Sequence, residues 1–200
     1  MKKLIIVIIC LILYHFSTGQ NIGLRASSIF SKNNEMNTAF GGGLFFQSND
    51  SLEKIGCYIY GDFLIKNKNF NNCIECPTKE VSTSYNNYSL GLSGYIITGI
   101  TSKFKINIGP SIYYSITNAE RTGINSNWIE TYDIKSIGPG VLFNLHFNQL
   151  FKDSFNFDIF ATPTYLVNIE NKTNPSETNS NYTDNLLVFN LQMGISYKLR

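Results

Sequence analysis

From Asn21 to the C-terminus the chain alternates apolar and polar residues in eight long runs, the period of two that sends successive side chains to opposite faces of a sheet. The fifth run shows it best. Phe104, Ile106, Ile108, Pro110, Ile112, Tyr114 and Ile116 share one face, and Lys105, Asn107, Gly109, Ser111, Tyr113, Ser115 and Thr117 share the other. The seventh run, Ser154 to Val167, and the eighth, Phe189 to Leu199, repeat the design. The other five are Gln20 to Phe30, Ala39 to Ser48, Lys54 to Lys66, Tyr85 to Thr98 and Ile134 to Phe147, and they carry it with more interruptions.

The gaps between runs set the topology. Those after runs two, four and six are short (Asn49 to Glu53, Gly99 to Ser102, Asn148 to Asp153), whereas those after one, three, five and seven are longer. Short turns at one end and long loops at the other are the signature of an outer-membrane barrel. The expected fold is therefore all-β, an eight-stranded antiparallel up-and-down transmembrane β-barrel with both chain ends in the periplasm.

The N-terminus agrees with that address. Lys2 and Lys3 precede an apolar run from Leu4 to Tyr14, and Ser17-Thr18-Gly19 supplies small residues where a signal peptidase reads. Cleavage before Gln20 makes residues 1–19 a signal peptide and residues 20–200 one barrel domain. The apolar run is far short of the roughly 20 residues a spanning helix needs. Ile9 before Cys10 is too large for a lipobox, which argues against lipidation.

A barrel this small has just enough interior for side chains to fill it. The face rich in Gly, Ser and Asn is expected to point inward, and the apolar face to meet hydrocarbon. A soluble lipocalin-like barrel would reverse this and cover its outside with Lys and Glu, which are scarce in the middles of these runs. Aromatics near strand ends fall into two outward belts. Phe46, Phe104, Phe147, Phe155 and Tyr197 are assigned to the periplasmic belt. Phe30, Phe40, Phe63, Tyr88, Tyr114, Tyr165 and Phe189 are assigned to the outer one. Pro110, Pro139 and Pro163 fall mid-strand on the outward face, where a missing N–H interrupts a ladder, so a belt of bulges is expected there.

Candidate chemistry is sparse. Arg25, Asp62, Lys105, Asp158 and Lys198 all point inward and form a candidate luminal charge network, in which Arg25 and Asp158 could meet across the lumen, the alternative being solvation of each charge at the rim. Inward Tyr58, Tyr60, Tyr95 and Tyr113 fill space, which argues against a wide pore. Cys73 and Cys76, spaced C-x-x-C in a long loop, are read as a candidate disulfide, and Cys57 as an ordinary lipid-facing residue. His15 leaves with the signal, so His146, near the periplasmic end of run six, is the one histidine of the barrel. Hydrolysis needs a base held by an orienting group, and the third long loop adds only Glu120, Glu130 and Asp133. The single tryptophan, Trp128, lies in "GINSNWIETYD" with Tyr132 nearby and is the candidate loop contact. The formal charge of +2, with charges mostly in loops and turns, gives no basic patch for nucleic acid.

The stretches "INIGPSIYYSI", "SIGPGVLFNLHF" and "FDIFATPTYLV", with the closing "LQMGISYKL", resemble the outer-membrane β-barrel domain family of Bacteroidota. That family is related in architecture to the OmpA and OmpX barrels and to the PorT-like proteins. The resemblance implies a membrane-embedded barrel, usually of unassigned activity; the residues themselves offer no catalytic constellation, no cofactor is expected, and the expected partners are outer-membrane lipid and the barrel assembly machinery. Many such barrels end in an aromatic residue, whereas this chain ends in Arg200. The role expected is structural or surface-interactive, with extracellular loops as a platform for an extracellular or envelope protein. A PorT-like accessory of secretion or envelope assembly is the alternative, and an outer-membrane hydrolase a distant third.

Overall fold

The computed structural model describes residues 20–31, 38–50, 54–70, 81–99, 101, 103–123, 129–149, 154–174 and 186–199. Eight strands follow in order: β1 (Gln20–Ser31), β2 (Thr38–Asp50), β3 (Ile55–Phe70), β4 (Val81–Gly99), β5 (Phe104–Gly123), β6 (Ile129–Phe147), β7 (Phe155–Asn174) and β8 (Leu186–Lys198). Each pairs antiparallel with its sequence neighbours, and β8 pairs with β1, closing the barrel. The fold class and strand count match the expectation from alternation. The leader assigned to residues 1–19 lies outside the described residues.

One register row measures the stagger. Starting at Ser89 of β4 it runs through Asp62, Gly43, Arg25, Gly194, Asp158, His146 and Lys105, and returns to β4 at Gly99, ten residues from where it began. With a rise of ~3.3 Å per residue and ~4.8 Å between strands, that stagger tilts the strands by about 40° from the barrel axis. The lumen is then narrow, and several rings fit because a facing position lacks a Cβ. A Cβ on Gly91 would stand 2.0 Å from the Tyr60 ring, one on Gly56 2.2 Å from that of Tyr95, and one on Gly23 2.5 Å from that of Phe45.

The outward face is apolar and uncovered by protein: Leu24 is 69% exposed, Phe40 62% and Ile96 62%. Surface of this kind over a whole cylinder is stable in hydrocarbon, not in water. Aromatics bound it at two heights. Phe63 pairs with Tyr88 and Phe30 with Phe189 in the outer band, while Phe104 pairs with Phe147 and Phe155 with Tyr197 in the lower one. Ring centroids lie 4.9 Å apart for Phe63–Tyr88 and 5.0 Å for Phe104–Phe147. The tilt and register put the two bands roughly 23 Å apart, close to the ~25 Å apolar height of such barrels. Phe46 departs from its assignment: its register row places it roughly 8 Å above the lower band.

The prolines do not form bulges. Pro110, Pro139 and Pro163 stay in register with one neighbour, pairing with Val141, Ile112 and Phe189. Each turns its nitrogen to the other neighbour, where the ladder simply lapses: between Ser93 and Ile96 of β4, and between Ile137 and Phe143 of β6 apart from Gly140. The one register shift among the described pairs falls elsewhere, at Lys135/Ser136.

Strands β3 to β7 run past their sequence-based limits at the outer end. Residues 67–70, 81–84, 118–123, 129–133 and 168–174 are strand, whereas alternation stopped short of them. Glu120, Glu130 and Asp133, assigned to a loop, are therefore strand residues.

Candidate functional site

The middle of the lumen is a plug built on Arg25. Its row flanks it with Gly43 and Gly194, which leave room for the guanidinium to swing. The side chain reaches past Gly43 to Asp62 rather than past Gly194 to Asp158, so the expected Arg25–Asp158 pair is corrected to Arg25–Asp62. Arg25 Nε donates to Asp62 Oδ1 at 2.6 Å and Nη2 donates to Oδ2, a bidentate fork. Nη1 donates to Gln192 Oε1 at 2.9 Å and to the Tyr58 hydroxyl. The guanidinium carbon lies 3.7 Å from the Tyr60 ring centroid. Tyr58 stacks on Phe160 at 4.4 Å, and Phe45 meets Phe160 edge-on at 5.4 Å. All of these groups are buried, and together they close the passage.

Asp158 has a partner that sequence reasoning left out. Its Oδ1 lies 2.7 Å from His146 Nδ1, and Asn144 Nδ2 donates to it at 3.0 Å. Ser196 donates to Oδ2 at 3.4 Å. The other ring nitrogen of His146 lies 2.7 Å from Asn148 Oδ1. The signal was available, because His146 and Asp158 are register partners on adjacent strands with the same inward parity. Both ring nitrogens are engaged and the side chain is 1% exposed, so His146 is a held luminal residue with no face for a substrate. Among the described residues no group of three or more His, Cys, Asp or Glu could hold a metal ion.

The other sequence-assigned residues scatter. Lys105 is half-buried at the lower rim and Lys198 is exposed there, so neither joins the plug. Cys57 is free, half-buried and on the outward face as expected. Cys73, Cys76 and Trp128 lie outside the described residues. Tyr132 does not stand at a loop tip. It is an inward residue of β6 and fully buried, because β6 begins at Ile129 and parity turns position 132 into the lumen.

Above the plug the interior changes character. Ile29, Leu64, Ile134, Leu166 and Val188 point inward and are buried, where the polar-face rule expected small polar residues. All but Leu64 join Tyr113 and the polar Asn87, Ser115, Thr117, Ser136 and Asn168 around a cavity of about 20 Å³, room for roughly one water. Around it the wall is uneven. β2 reaches Thr38 and β8 starts at Leu186, both near the outer aromatic band, while β3 to β7 continue past it. Residues 66–70 of β3 pair with β4 alone, and residues 168–174 of β7 with β6 alone, so two strand edges stand uncovered by described neighbours. On the outside of this raised wall Glu170 is held between Lys135 and Lys172, with Lys172 Nζ 2.7 Å from Glu170 Oε1. Hydrogen bonds from Lys135 and Lys172 pull the Glu170 carboxyl down to about 2, and Glu170 in turn raises Lys135.

The same architecture occurs in solved structures. Neisserial surface protein A superposes with a TM-score of 0.56 at 16% identity, covering 90% of this chain and 97% of that one. A major outer membrane protein from Thermus thermophilus does so with a TM-score of 0.58 at 12% identity, covering 90% and 99%. At these identities the likeness is one of fold: a closed eight-stranded barrel of outer-membrane type. No family model and no curated protein sequence matches the chain.

Proposed function

We propose that the protein is an integral outer-membrane barrel that carries a surface-interaction platform, with a sealed lumen, no catalytic role and both termini in the periplasm. The observation that carries this reading is the unequal height of the wall. Among the described residues five consecutive strands rise well beyond the outer aromatic band and three end nearer to it, a difference that spanning the membrane does not require. The raised wall offers what recognition uses: a rigid scaffold and exposed Ile129 and Ile169. The partner is an extracellular or envelope protein, with outer-membrane lipid around the band below.

The test is capture from intact outer membranes with the wild-type chain and with Ile129→Ser/Ile169→Ser, both of which should fold equally well. Loss of a wild-type partner in the variant is the expected result. Unchanged capture would remove the platform. Impaired export of secreted cargo on deletion, with no such partner, would move the assignment to a PorT-like accessory.

A further inference from the structure

Two cations of the lumen are left over when the plug is complete. Arg25 is matched by Asp62 and Asp158 by His146, but Lys105 and Lys198 have no carboxylate partner among the described residues. Both have inward parity. Lys105 shares a register row with His146, Asp158 and Gly194, and Lys198 lies four residues below Gly194 on β8. With the rise, spacing and tilt given above, the two Cα atoms lie within about 1 Å of each other in height and roughly 15 Å apart across the lower mouth. Two extended lysine stems span most of that gap, and Lys105 feels the charge of Lys198.

The backbone holds both positions. Lys198 N donates to Ser154 O and Leu199 N to Gln20 O, each at 2.8 Å, which ties the end of β8 to its neighbours on both sides. Below Lys105 the turn closes on itself: Phe104 N donates to Thr101 Oγ1 and Thr101 N to Phe104 O, both at 3.0 Å.

What the mouth can hold follows from its floor and its charge. The floor is Asn21 and Asn156, both buried and joined by Asn156 Nδ2 to Asn21 Oδ1 at 3.1 Å, with Ile97 buried at similar height. Deeper lies the Asp158 carboxylate, which disfavours an anion there and keeps it at the rim. Around the mouth the sequence is basic: Lys54, Lys103, Lys152 and Arg200 add to the pair, against Asp50, Glu53 and Asp153. At the other end Lys135 and Lys172 have Glu170 between them. Two like charges aimed into one confined mouth repel until a group of opposite charge stands between them. We infer that Lys105 and Lys198 form a site for a phosphate group, whose oxygens accept from both ammonium groups at once. The group comes either from a phospholipid headgroup of the periplasmic leaflet or from a soluble phosphate. The inference uses the closed barrel and its register, not the platform, so normal or lost partner capture leaves it untouched.

The test follows the Cε signals of carbon-13-labelled lysines. The chain folded in maltoside micelles, which carry no phosphate, is titrated with pyrophosphate at a constant ionic strength of ~0.1 M, where charges more than about 10 Å apart are screened. Lys105 and Lys198 should move together on one saturating curve while Lys172 stays still. Lys198→Gln should raise the half-saturating concentration about ten-fold, because a charge-assisted hydrogen bond is lost. Lys198 is exposed at the end of β8, so this variant should keep the amide spectrum of the barrel. Nanodiscs containing phosphatidylglycerol decide the source. Lysine signals already at the saturated position without pyrophosphate identify the headgroup, and signals at the starting position that still respond identify a soluble phosphate. Movement of Lys105 and Lys198 no larger than that of Lys172 would overturn the site, and so would a curve unchanged by Lys198→Gln.

Discussion

Below the level of Tyr113 the interior is tied together by directed polar contacts. The Arg25 fork joins β1 to β3, the Asp158–His146 pair joins β7 to β6, and amide links such as Asn107 Nδ2 to Asn144 Oδ1 at 2.6 Å join β5 to β6. Above that level apolar Ile29, Ile134, Leu166 and Val188 mix with buried polar Asn87, Ser115, Thr117 and Ser136 around a small cavity, and among the described residues the strands continue higher on one side. The lower region meets a constraint that every narrow barrel faces, since polar groups at hydrocarbon depth must find partners inside the protein. The raised wall above the outer band stands outside that constraint, and it is where the interaction platform is proposed.

The largest test of that contrast is Asp62→Ala. It leaves the Arg25 guanidinium buried without its carboxylate, which costs about 3–5 kcal/mol and should appear as a lowered urea midpoint for the barrel folded in vesicles. Arg25→Met/Asp62→Leu should recover most of the loss, because no charge is then stranded. At the raised wall the comparable deletion, Lys135→Ala, should leave the midpoint close to that of wild type, as substitutions of solvated side chains do. Equal losses at the two places would erase the distinction between constrained and free regions.

Next in size is Gly91→Ala, whose new Cβ would stand 2.0 Å from the Tyr60 ring and displace the face that covers Arg25. Overpacking of this kind costs about 1–3 kcal/mol. Gly94 lies three residues on but faces outward, with nothing within 4 Å of a Cβ, so Gly94→Ala should leave the same midpoint unchanged. A matched drop in both variants would mean that backbone flexibility, not the fit of ring to glycine, sets the cost.

The same contrast explains what the sequence discloses. Alternation identified the barrel, its inward tyrosines and most of its aromatic bands, because at membrane depth one face meets lipid and the other the lumen. Past the outer band both faces are polar or shielded, as at Asn118, Glu120 and Asp133, and the period of two fades while the strand persists. That is why Tyr132 and Glu130 read as loop residues. Pairing across the lumen was less legible. Arg25 has a carboxylate on either side of it along one row, Asp62 and Asp158, and the choice depends on His146 occupying the second. The apolar members of the upper lumen were hidden by the rule that served below it: Ile29, Ile134 and Val188 have inward parity but lipid-like chemistry.

A smaller effect belongs to the lower turns. Lys54 and Gln149 have φ of 56° and 59°, the left-handed region that costs a residue with a Cβ roughly 1–2 kcal/mol. Gln149→Gly relieves that strain while loosening the unfolded chain, so the net gain expected is at most about 1 kcal/mol. It is read as a raised urea midpoint, and destabilisation would show that the glutamine side chain contributes more than the turn conformation costs.

The smallest effect expected is at Glu170, and it separates the two regions by their response to solvent. Its carboxyl is held near 2, below its ordinary value, so the ion cluster with Lys135 and Lys172 contributes its full stabilisation above about pH 4.5. That contribution fades as pH falls through about 2; Lys135, shifted upward, loses its own share only at alkaline pH. Carbon-13 titration of the Glu170 carboxyl should show the low midpoint and a rise toward the ordinary range in Lys135→Ala. Because these groups are open to water, ~1 M salt should produce much of the same rise by screening, the Debye length there being about 3 Å. The buried Arg25–Asp62 fork should keep its hydrogen-bonded guanidinium resonances unchanged at that salt. A salt-insensitive Glu170 would mean that the raised wall is as enclosed as the plug, and the contrast between the two regions would fail.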